Sequence, residues 1–289
     1  MSVKQEANGR RSVQLEFEVP GTPEEVWQAL ATGPGISSWF VPTEIEERDG
    51  KPVAVKFNFG PGVEPRSVVT AWDPPRIFAQ EADGWLPGSP PIATEWSIEA
   101  RRGGICIVRI VHSLFASTDD WDNQLEGAKS GWSGFLAILR IYLTHFRGQR
   151  SAIMQVTAPV ACTDAEAWET LTSALGLKGV SVGQRWTTPA GVSPLSGVME
   201  HVTENPYDAL LRLDKPGPGV AALGAVTYPG GQGMVAMNLY LYGDQAAATV
   251  VRETPVWQSW LQERFPMATE LSQSELERSR LSNTCRWTA

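Results

Sequence analysis

Residues 22–30 read Thr-Pro-Glu-Glu-Val-Trp-Gln-Ala-Leu, and residues 163–171 read Thr-Asp-Ala-Glu-Ala-Trp-Glu-Thr-Leu. Both stretches fit the pattern T-x-x-E-x-W-x-x-L. This pattern predicts a capped helix start, because the threonine side chain can accept from the glutamate N–H while the glutamate carboxylate reaches back to the threonine N–H. Each copy follows an extended segment, Val13 to Val19 or Ala152 to Thr157. The shared order of strand, turn and capped helix predicts an internal repeat and therefore two domains.

A break in the middle of the chain gives the predicted domain boundary. A long helical pattern closes near Phe146, and the polar segment 147–150 that follows contains a glycine. The chain of 289 residues is long enough for two domains that each bury a core. We therefore predict a first domain at 1–148, a second domain at 149–266 and a polar tail at 267–289.

The first half reads as an antiparallel meander closed by a helix. The predicted strands are Thr43 to Arg48, Val53 to Phe59, Arg66 to Trp72, Arg76 to Ala82, Ala93 to Ala100 and Ile105 to Phe115. Asp49-Gly50 is suited to a tight hairpin turn, whereas Gly33-Pro34-Gly35 should break the chain before a short helix at Ile36 to Phe40. Apolar residues at helical spacing predict a helix from Thr118 to Phe146. We expect this helix to cover the apolar face of the sheet.

The second half repeats this scheme with fewer strands. The predicted strands are Leu195 to Thr203, Ala209 to Asp214, Val220 to Tyr228 and Met234 to Tyr242. A terminal helix from Gln245 to Phe265 contains Pro255, which should kink or restart it. One short helix, Glu270 to Leu281, is predicted in the tail.

Composition limits the classes of function. The chain has 42% hydrophobic residues, a net charge of −8 and no apolar run near the ~20 residues of a membrane span. The negative charge argues against nucleic acid as a partner. The N-terminus lacks a secretory pattern, and three widely spaced cysteines suggest neither a disulfide framework nor a zinc site. We therefore predict a cytoplasmic protein without a metal or other cofactor.

The chain carries none of the common catalytic motifs. It has no G-x-S-x-G elbow, H-E-x-x-H pair, C-x-x-C pair, P-loop or G-x-G-x-x-G fingerprint. The acidic pairs Glu46-Glu47 and Asp119-Asp120 are poor candidates for acid–base catalysis, because neighbouring strand residues face opposite ways and the second pair suits a helix start. No catalytic residue is predicted, and the sequence favours a binding protein over an enzyme.

Several stretches of the first half together form a family pattern covering roughly residues 13 to 147. They are V-P-G-T-P-E-E-V-W at 19–27, S-W-F at 38–40, V-V-T-A-W-D-P-P-R at 68–76, I-V-H-S at 110–113 and G-W-S-G-F-L-A-I-L at 131–139. This pattern resembles the SRPBCC superfamily (START-like, helix-grip fold), and within it the AHSA-type family named for activators of the heat-shock-protein-90 ATPase. The resemblance implies an α+β fold in which an antiparallel sheet wraps round a long C-terminal helix. We expect two such copies in tandem, the second degenerate.

The resemblance also implies a cavity between sheet and helix for an apolar or amphipathic small molecule. Family members act as carriers, sensors, cyclases or stress-related modulators. Strand parity and the helix stripe give the candidate ligand-binding residues: Trp39, Phe57, Phe59, Trp72, Trp96, His112, Trp132 and Leu136. The opposing interpretation is that these side chains simply pack against one another as core. For His112, the alternatives are a pocket base or ligand hydrogen-bonder and a satisfied core histidine.

Three functions follow from this expectation. The first is a carrier, sensor or sequestering protein for a hydrophobic small molecule. The second is a cyclase, hydrolase or lyase that uses the same cavity, with His112 or Glu99 assisting proton transfer. The third is a protein-interaction module that contacts a chaperone or forms a homodimer.

Overall fold

The computed structural model describes most of the chain. Backbone is described for residues 4–5, 10–60, 62–84, 90–115, 122–201, 205–227 and 233–266, and side chains for the same residues except 4–5, 10 and 122–130. The predicted helix at 270–281 and the pair Asp119-Asp120 lie outside the described residues. Among the helices described, none combines the length and apolar character needed to cross a membrane.

The first half is an antiparallel sheet with three helices. Its elements are β1 (Lys4–Gln5), β2 (Arg10–Pro20), α1 (Pro23–Ala31), α2 (Gly33–Ser37), β3 (Thr43–Arg48), β4 (Lys51–Phe57), β5 (Arg66–Asp73), β6 (Ile77–Ala82), β7 (Ile92–Arg101), β8 (Ile105–Phe115) and α3 (Asp122–His145). The strand order is β1-β2-β8-β7-β6-β5-β4-β3. The first long strand therefore lies beside the last, and the strands between them follow one another as a meander.

The second half has the same topology with a shorter meander. Its elements are β9 (Ser151–Val160), α4 (Asp164–Leu175), β10 (Arg185–Thr187), β11 (Ser196–His201), β12 (Asp208–Lys215), β13 (Gly219–Thr227), β14 (Gly233–Tyr242) and α5 (Ala246–Arg264). The strand order is β10-β11-β12-β13-β14-β9, so the first strand again pairs with the last. The chain is thus two helix-grip units in tandem, as predicted. The sequence missed β10, which has only three residues.

Both predicted helix starts have the expected capping box. In α1, the Thr22 N–H donates to Glu25 Oε2 over 2.8 Å, and the Glu25 N–H donates to Thr22 Oγ1 over 3.3 Å. In α4, the Thr163 N–H donates to Glu166 Oε2 over 2.9 Å, and the Glu166 N–H donates to Thr163 Oγ1 over 3.3 Å. The repeat in sequence is therefore a repeat of one local structure.

The segment after α1 differs from the expectation. Gly33-Pro34-Gly35 starts α2 instead of breaking the chain, because the Thr32 side chain accepts from the Gly35 N–H over 3.0 Å and Pro34 suits a first helical turn. A Cβ on Gly35 would lie 1.8 Å from the Gln28 carbonyl oxygen. This glycine lets two helices meet closely, so its role is packing and not termination.

Of two other local predictions, the hairpin turn agrees with the structure and the interruption of the terminal helix does not. Asp49 and Gly50 have positive φ angles of 53° and 71° between β3 and β4, as a tight hairpin of the predicted kind requires. For α5 the prediction was a kink or a restart at Pro255, and the restart is wrong, since one helix runs through this residue. Pro255 is exposed, and Val251, whose carbonyl loses its helical partner, is 76% exposed, so water can replace the lost hydrogen bond.

The two halves share one of the two hydrophobic cores. One face of the second sheet packs on α4 and α5 and forms the second core. The opposite face contributes to the first core, together with α1, α2, α3 and the first sheet, through Ile153, Leu210, Val220, Ala222, Tyr240 and Tyr242. Helix α3 therefore contacts its own sheet and the second sheet as well. We retain the division at 148/149 as a proposal.

Candidate ligand-binding site

A connected group of aromatic rings lies between the first sheet and α3. Trp96 on β7 contacts Trp39 and Trp132 edge to face, with ring centroids 5.8 and 5.3 Å apart. The segment after α2 positions Trp39, whose indole N–H donates to the Ala29 carbonyl over 2.9 Å. Since all three tryptophans are buried, this group is both core and the apolar wall of the candidate site.

Phe40 is the centre of this ring group, although it was not among the predicted site residues. Its ring stacks on Trp132 at 5.2 Å and meets Phe135 edge to face at 4.5 Å. It also contacts Phe57 and Phe59 at 5.8 and 5.6 Å. The sequence offered one signal, because Phe40 ends the S-W-F stretch quoted for the family pattern.

The structure separates two predicted residues from this group. Trp72 packs edge to face on Trp27 of α1 and on Phe78 of β6, at 4.9 and 5.4 Å. Leu136 lies on α3 and lines a different concavity, described below. The remaining predicted residues, Trp39, Phe57, Phe59, Trp96, His112 and Trp132, are joined by ring contacts.

A row of buried polar side chains borders the ring group. The strand register places Gln80 opposite Thr94, and Thr94 opposite His112, so the three lie in line across β6, β7 and β8. They are 6%, 2% and 4% exposed, respectively. We call Gln80, Thr94 and His112 the polar row. It lies on the same sheet face as Trp96, because residues two apart on a strand share a face.

His112 is held in its neutral form. Burial lowers the pKa of its imidazole to about 4, since a charged ring would lose its hydration. A hydrogen bond of 2.9 Å joins His112 Nδ1 to Thr94 Oγ1, and the ring lies 5.9 Å from Trp132. A neutral imidazole has one donor and one acceptor nitrogen, which suits it to hydrogen bonding with an uncharged group.

Gln80 contains the polar row's unpaired atom. Its Oε1 is buried and has no hydrogen-bond partner among the described residues. Such an atom costs free energy unless something donates to it. Sequence reasoning missed Gln80 and Thr94, although strand parity could have found them: Gln80 alternates with Phe78 and Ala82, and Thr94 with Trp96.

Glu99, proposed from sequence as a proton-transfer group, is excluded from the site. Its side chain is 63% exposed and pairs with Arg101 on the solvent face of β7. It differs in parity from Thr94 and Trp96, so the strand turns it away from the polar row.

The first half also matches a family model. Residues 20–144 match the family described as "Activator of Hsp90 ATPase homolog 1-like protein". We call the first half of the chain the AHSA1 domain, after the family model that it matches. The match confirms the resemblance on which the helix-grip prediction was based.

Solved structures resemble the AHSA1 domain or both halves, and no curated protein matches the chain significantly in sequence. The di-domain ARO/CYC BexL from the BE-7585A biosynthetic pathway is 14% identical, with a TM-score of 0.43 over 86% of this chain and 95% of that one. CalU16 from Micromonospora echinospora is 19% identical, with a TM-score of 0.39 over 50% of this chain and 83% of that one. The Aha1 dimer from Colwellia psychrerythraea is 21% identical, with a TM-score of 0.37 over 47% of this chain and 98% of that one.

The second half has a buried aromatic pair of its own. Trp257 and Trp260 of α5 are buried with ring centroids 5.2 Å apart, in the core between α5 and the second sheet. The facing strands contribute apolar side chains such as Met154 and Met237.

An open groove lies at the edge of the AHSA1 domain. Its volume is about 610 Å³, and it lies between β2, α3 and the end of β11. Leu15, Phe17 and Leu136 supply apolar lining, whereas His145 and Glu200 are polar neighbours. The predicted aromatic residues do not line this groove, so it is distinct from the ring group and polar row.

Proposed function

We propose that the AHSA1 domain binds a largely apolar small molecule that carries a hydrogen-bond donor, and that the protein acts as a carrier, sensor or sequestering agent. The observation that carries this proposal is the buried Gln80 Oε1, which no described residue pairs with and which lies beside a wall of aromatic rings. A ligand donor would satisfy that oxygen, and the rings would cover the apolar body of the ligand.

Ring spacing indicates which side of the ring group the ligand occupies. Centroid distances of 5.2 to 5.8 Å between Phe40, Trp132, Trp96 and Trp39 are those of rings in direct contact. A guest therefore has no room between these rings. We place it on the side of Trp132 and Trp96 where the polar row lies, within reach of His112 and Gln80.

The polar row supports binding more than catalysis. The pKa of His112 is lowered to about 4, so this imidazole is a weak base at neutral pH. Its neighbours Thr94 and Trp132 carry no charge. The enzyme, chaperone-contact and homodimer alternatives stay predictions, as does the cytoplasmic location.

Native mass spectrometry of freshly purified protein tests the proposal. We expect a retained small molecule that is released on denaturation, and its extraction would identify the ligand. Stripped protein should then bind 8-anilinonaphthalene-1-sulfonate, an anionic aromatic probe whose anilino group has one N–H donor, in competition with the extract. Absence of a retained molecule, together with absence of saturable probe binding, would contradict the proposed function.

A further inference from the structure

The second half contacts the wall of the candidate site through one face of its sheet. Register places Ile153, Tyr240 and Val220 opposite one another on β9, β14 and β13. All three belong to the core of the AHSA1 domain, whereas their chain neighbours Met154, Leu239 and Ala221 belong to the second core. Alternate residues of each strand thus belong to different cores, so the two faces of the second sheet pack against different parts of the molecule.

Two tyrosines on this face donate hydrogen bonds to the segment that follows α2. The Tyr240 hydroxyl donates to the Phe40 carbonyl oxygen over 2.8 Å, and the Tyr242 hydroxyl donates to the Ser38 carbonyl oxygen over 2.8 Å. The tyrosines are 1% and 2% exposed. Burial raises the pKa of both phenols above the ordinary value, so both hydroxyls stay protonated and remain donors at physiological pH.

These bonds satisfy carbonyl groups at the C-cap of α2, Ser38, and two residues beyond it, at Phe40. The last carbonyls of a helix have no partner within it, and α2 is followed directly by buried chain at Ser38 to Phe40. The Ser38 hydroxyl lies 2.9 Å from the Ser151 hydroxyl at the start of the second sheet. Residues 38–40 are therefore fixed by three side chains of the second half.

Two of these three residues, Trp39 and Phe40, supply rings of the candidate site. Trp39 contacts Trp96, and Phe40 stacks on Trp132. Since an aromatic ring has only two side-chain torsions, its position follows closely from that of its backbone. A small movement of the Phe40 carbonyl would therefore move the ring that supports Trp132 beside the polar row.

We propose that Tyr240 and Tyr242 are positioning residues for the ligand site of the AHSA1 domain. Their hydrogen bonds fix the backbone that carries two rings of the aromatic wall, Trp39 and Phe40. This inference rests on the proposed function. It assigns the degenerate repeat a role that needs no ligand of its own. Because coupling between two equilibria is reciprocal, a ligand bound beside Trp132 should also strengthen the hold of the second sheet on residues 38–40.

The test compares Tyr240→Phe and Tyr242→Phe with Tyr207→Phe. The control removes the hydroxyl of a half-buried tyrosine that packs on the second core and not on α2. Each interface variant should bind 8-anilinonaphthalene-1-sulfonate about fivefold more weakly than the parent protein, the usual effect of one lost hydrogen bond. Hydrogen exchange of the amides of Trp39 and Phe40 should accelerate in the same variants. Tyr207→Phe should change neither quantity.

The outcomes separate this inference from the proposed function. If the parent binds the probe and the folded interface variants bind it equally well, the positioning role is overturned. If the parent neither retains a small molecule nor binds the probe, the proposed function fails, and hydrogen exchange alone tests the contact. Faster exchange at residues 39–40 in the variants then shows that the second half restrains this segment, and unchanged exchange shows that it does not. Should either phenylalanine variant not fold, Ser151→Ala tests the same segment with a smaller change.

Discussion

Gln80 shows how a single buried atom can indicate a function. Its Oε1 has no hydrogen-bond partner in the part of the chain that the structure describes, and it lies on a sheet face whose other members are mostly apolar. A stable core without a ligand would gain from an apolar residue at this position, since an unpaired buried oxygen lowers stability. Under the proposed function, a donor group of the ligand would satisfy this oxygen.

Replacing Gln80 should therefore change stability and binding in opposite directions. Gln80→Met keeps the side-chain length and removes the unpaired oxygen, so we expect the free energy of unfolding to rise by about 1 kcal/mol in the ligand-free protein. Binding of 8-anilinonaphthalene-1-sulfonate should weaken about fivefold. Chemical denaturation and a fluorescence titration measure the two effects, and Gln28→Met on the exposed surface of α1 is the control. A simultaneous loss of stability and unchanged binding would make Gln80 a structural residue.

His112 should make stability depend on pH. The folded-state pKa is about 4 against 6.5 for the unfolded chain, so the unfolded state binds more protons between these values. The contribution of His112 is thus fully present above pH 6.5 and is lost as the pH falls towards 4, by about 3 kcal/mol in total. His112→Gln should flatten the pH dependence of the free energy of unfolding in this window. Parallel curves for the two proteins would show that His112 is not buried in its neutral form.

At the scale of elements, each copy of the repeated capping box should stabilise the start of its helix. Thr22 and Thr163 each accept from the N–H of a glutamate three residues later, at the start of α1 and α4. Glu25 has an additional partner, Arg147, which follows α3 and ties the two ends of the AHSA1 domain together. The corresponding Glu166 serves its own helix start.

Removal of either cap should cost a similar amount. Thr22→Ala and Thr163→Ala should each lower the free energy of unfolding by about 1 kcal/mol, because a helix-start N–H loses its acceptor. Thr22→Ser and Thr163→Ser keep the hydroxyl and should stay within about 0.5 kcal/mol of the parent. Urea denaturation measures all four variants. A serine variant as unstable as its alanine counterpart would mean that the threonine methyl group, and not the cap, provides the stability.

At the scale of the whole molecule, the shared core predicts a single unfolding transition. The second sheet packs one face on α2 and α3, and this contact contains buried apolar groups as well as the three hydrogen bonds to residues 38–40. Unfolding of either half would expose that face to water, so the halves should unfold together. Thermal unfolding followed by near-ultraviolet and far-ultraviolet circular dichroism should give coincident curves. Two separated transitions would show that each half is stable without the other.

Local patterns explain how much of the fold could be predicted. The bounds of β3 and β8 agree with the sequence expectation at both ends, because alternation and turn residues are properties of neighbouring positions. The short strand β10 was missed, since three residues hardly define a period. The prediction that Gly33-Pro34-Gly35 breaks the chain was wrong, because Gly35 is needed for the close contact between α2 and α1. A local turn pattern does not show such packing.

The sequence by itself determined the repeat, the capped helices and the buried faces of the strands. Each of these depends on residues close together in the chain. Only the tertiary structure decided that Trp72 turns towards α1, that Gln80 is left unpaired, and that Tyr240 reaches the carbonyl of a residue 200 positions earlier. Those contacts follow from how the two sheets pack around α3, and no local period in the chain specifies that packing.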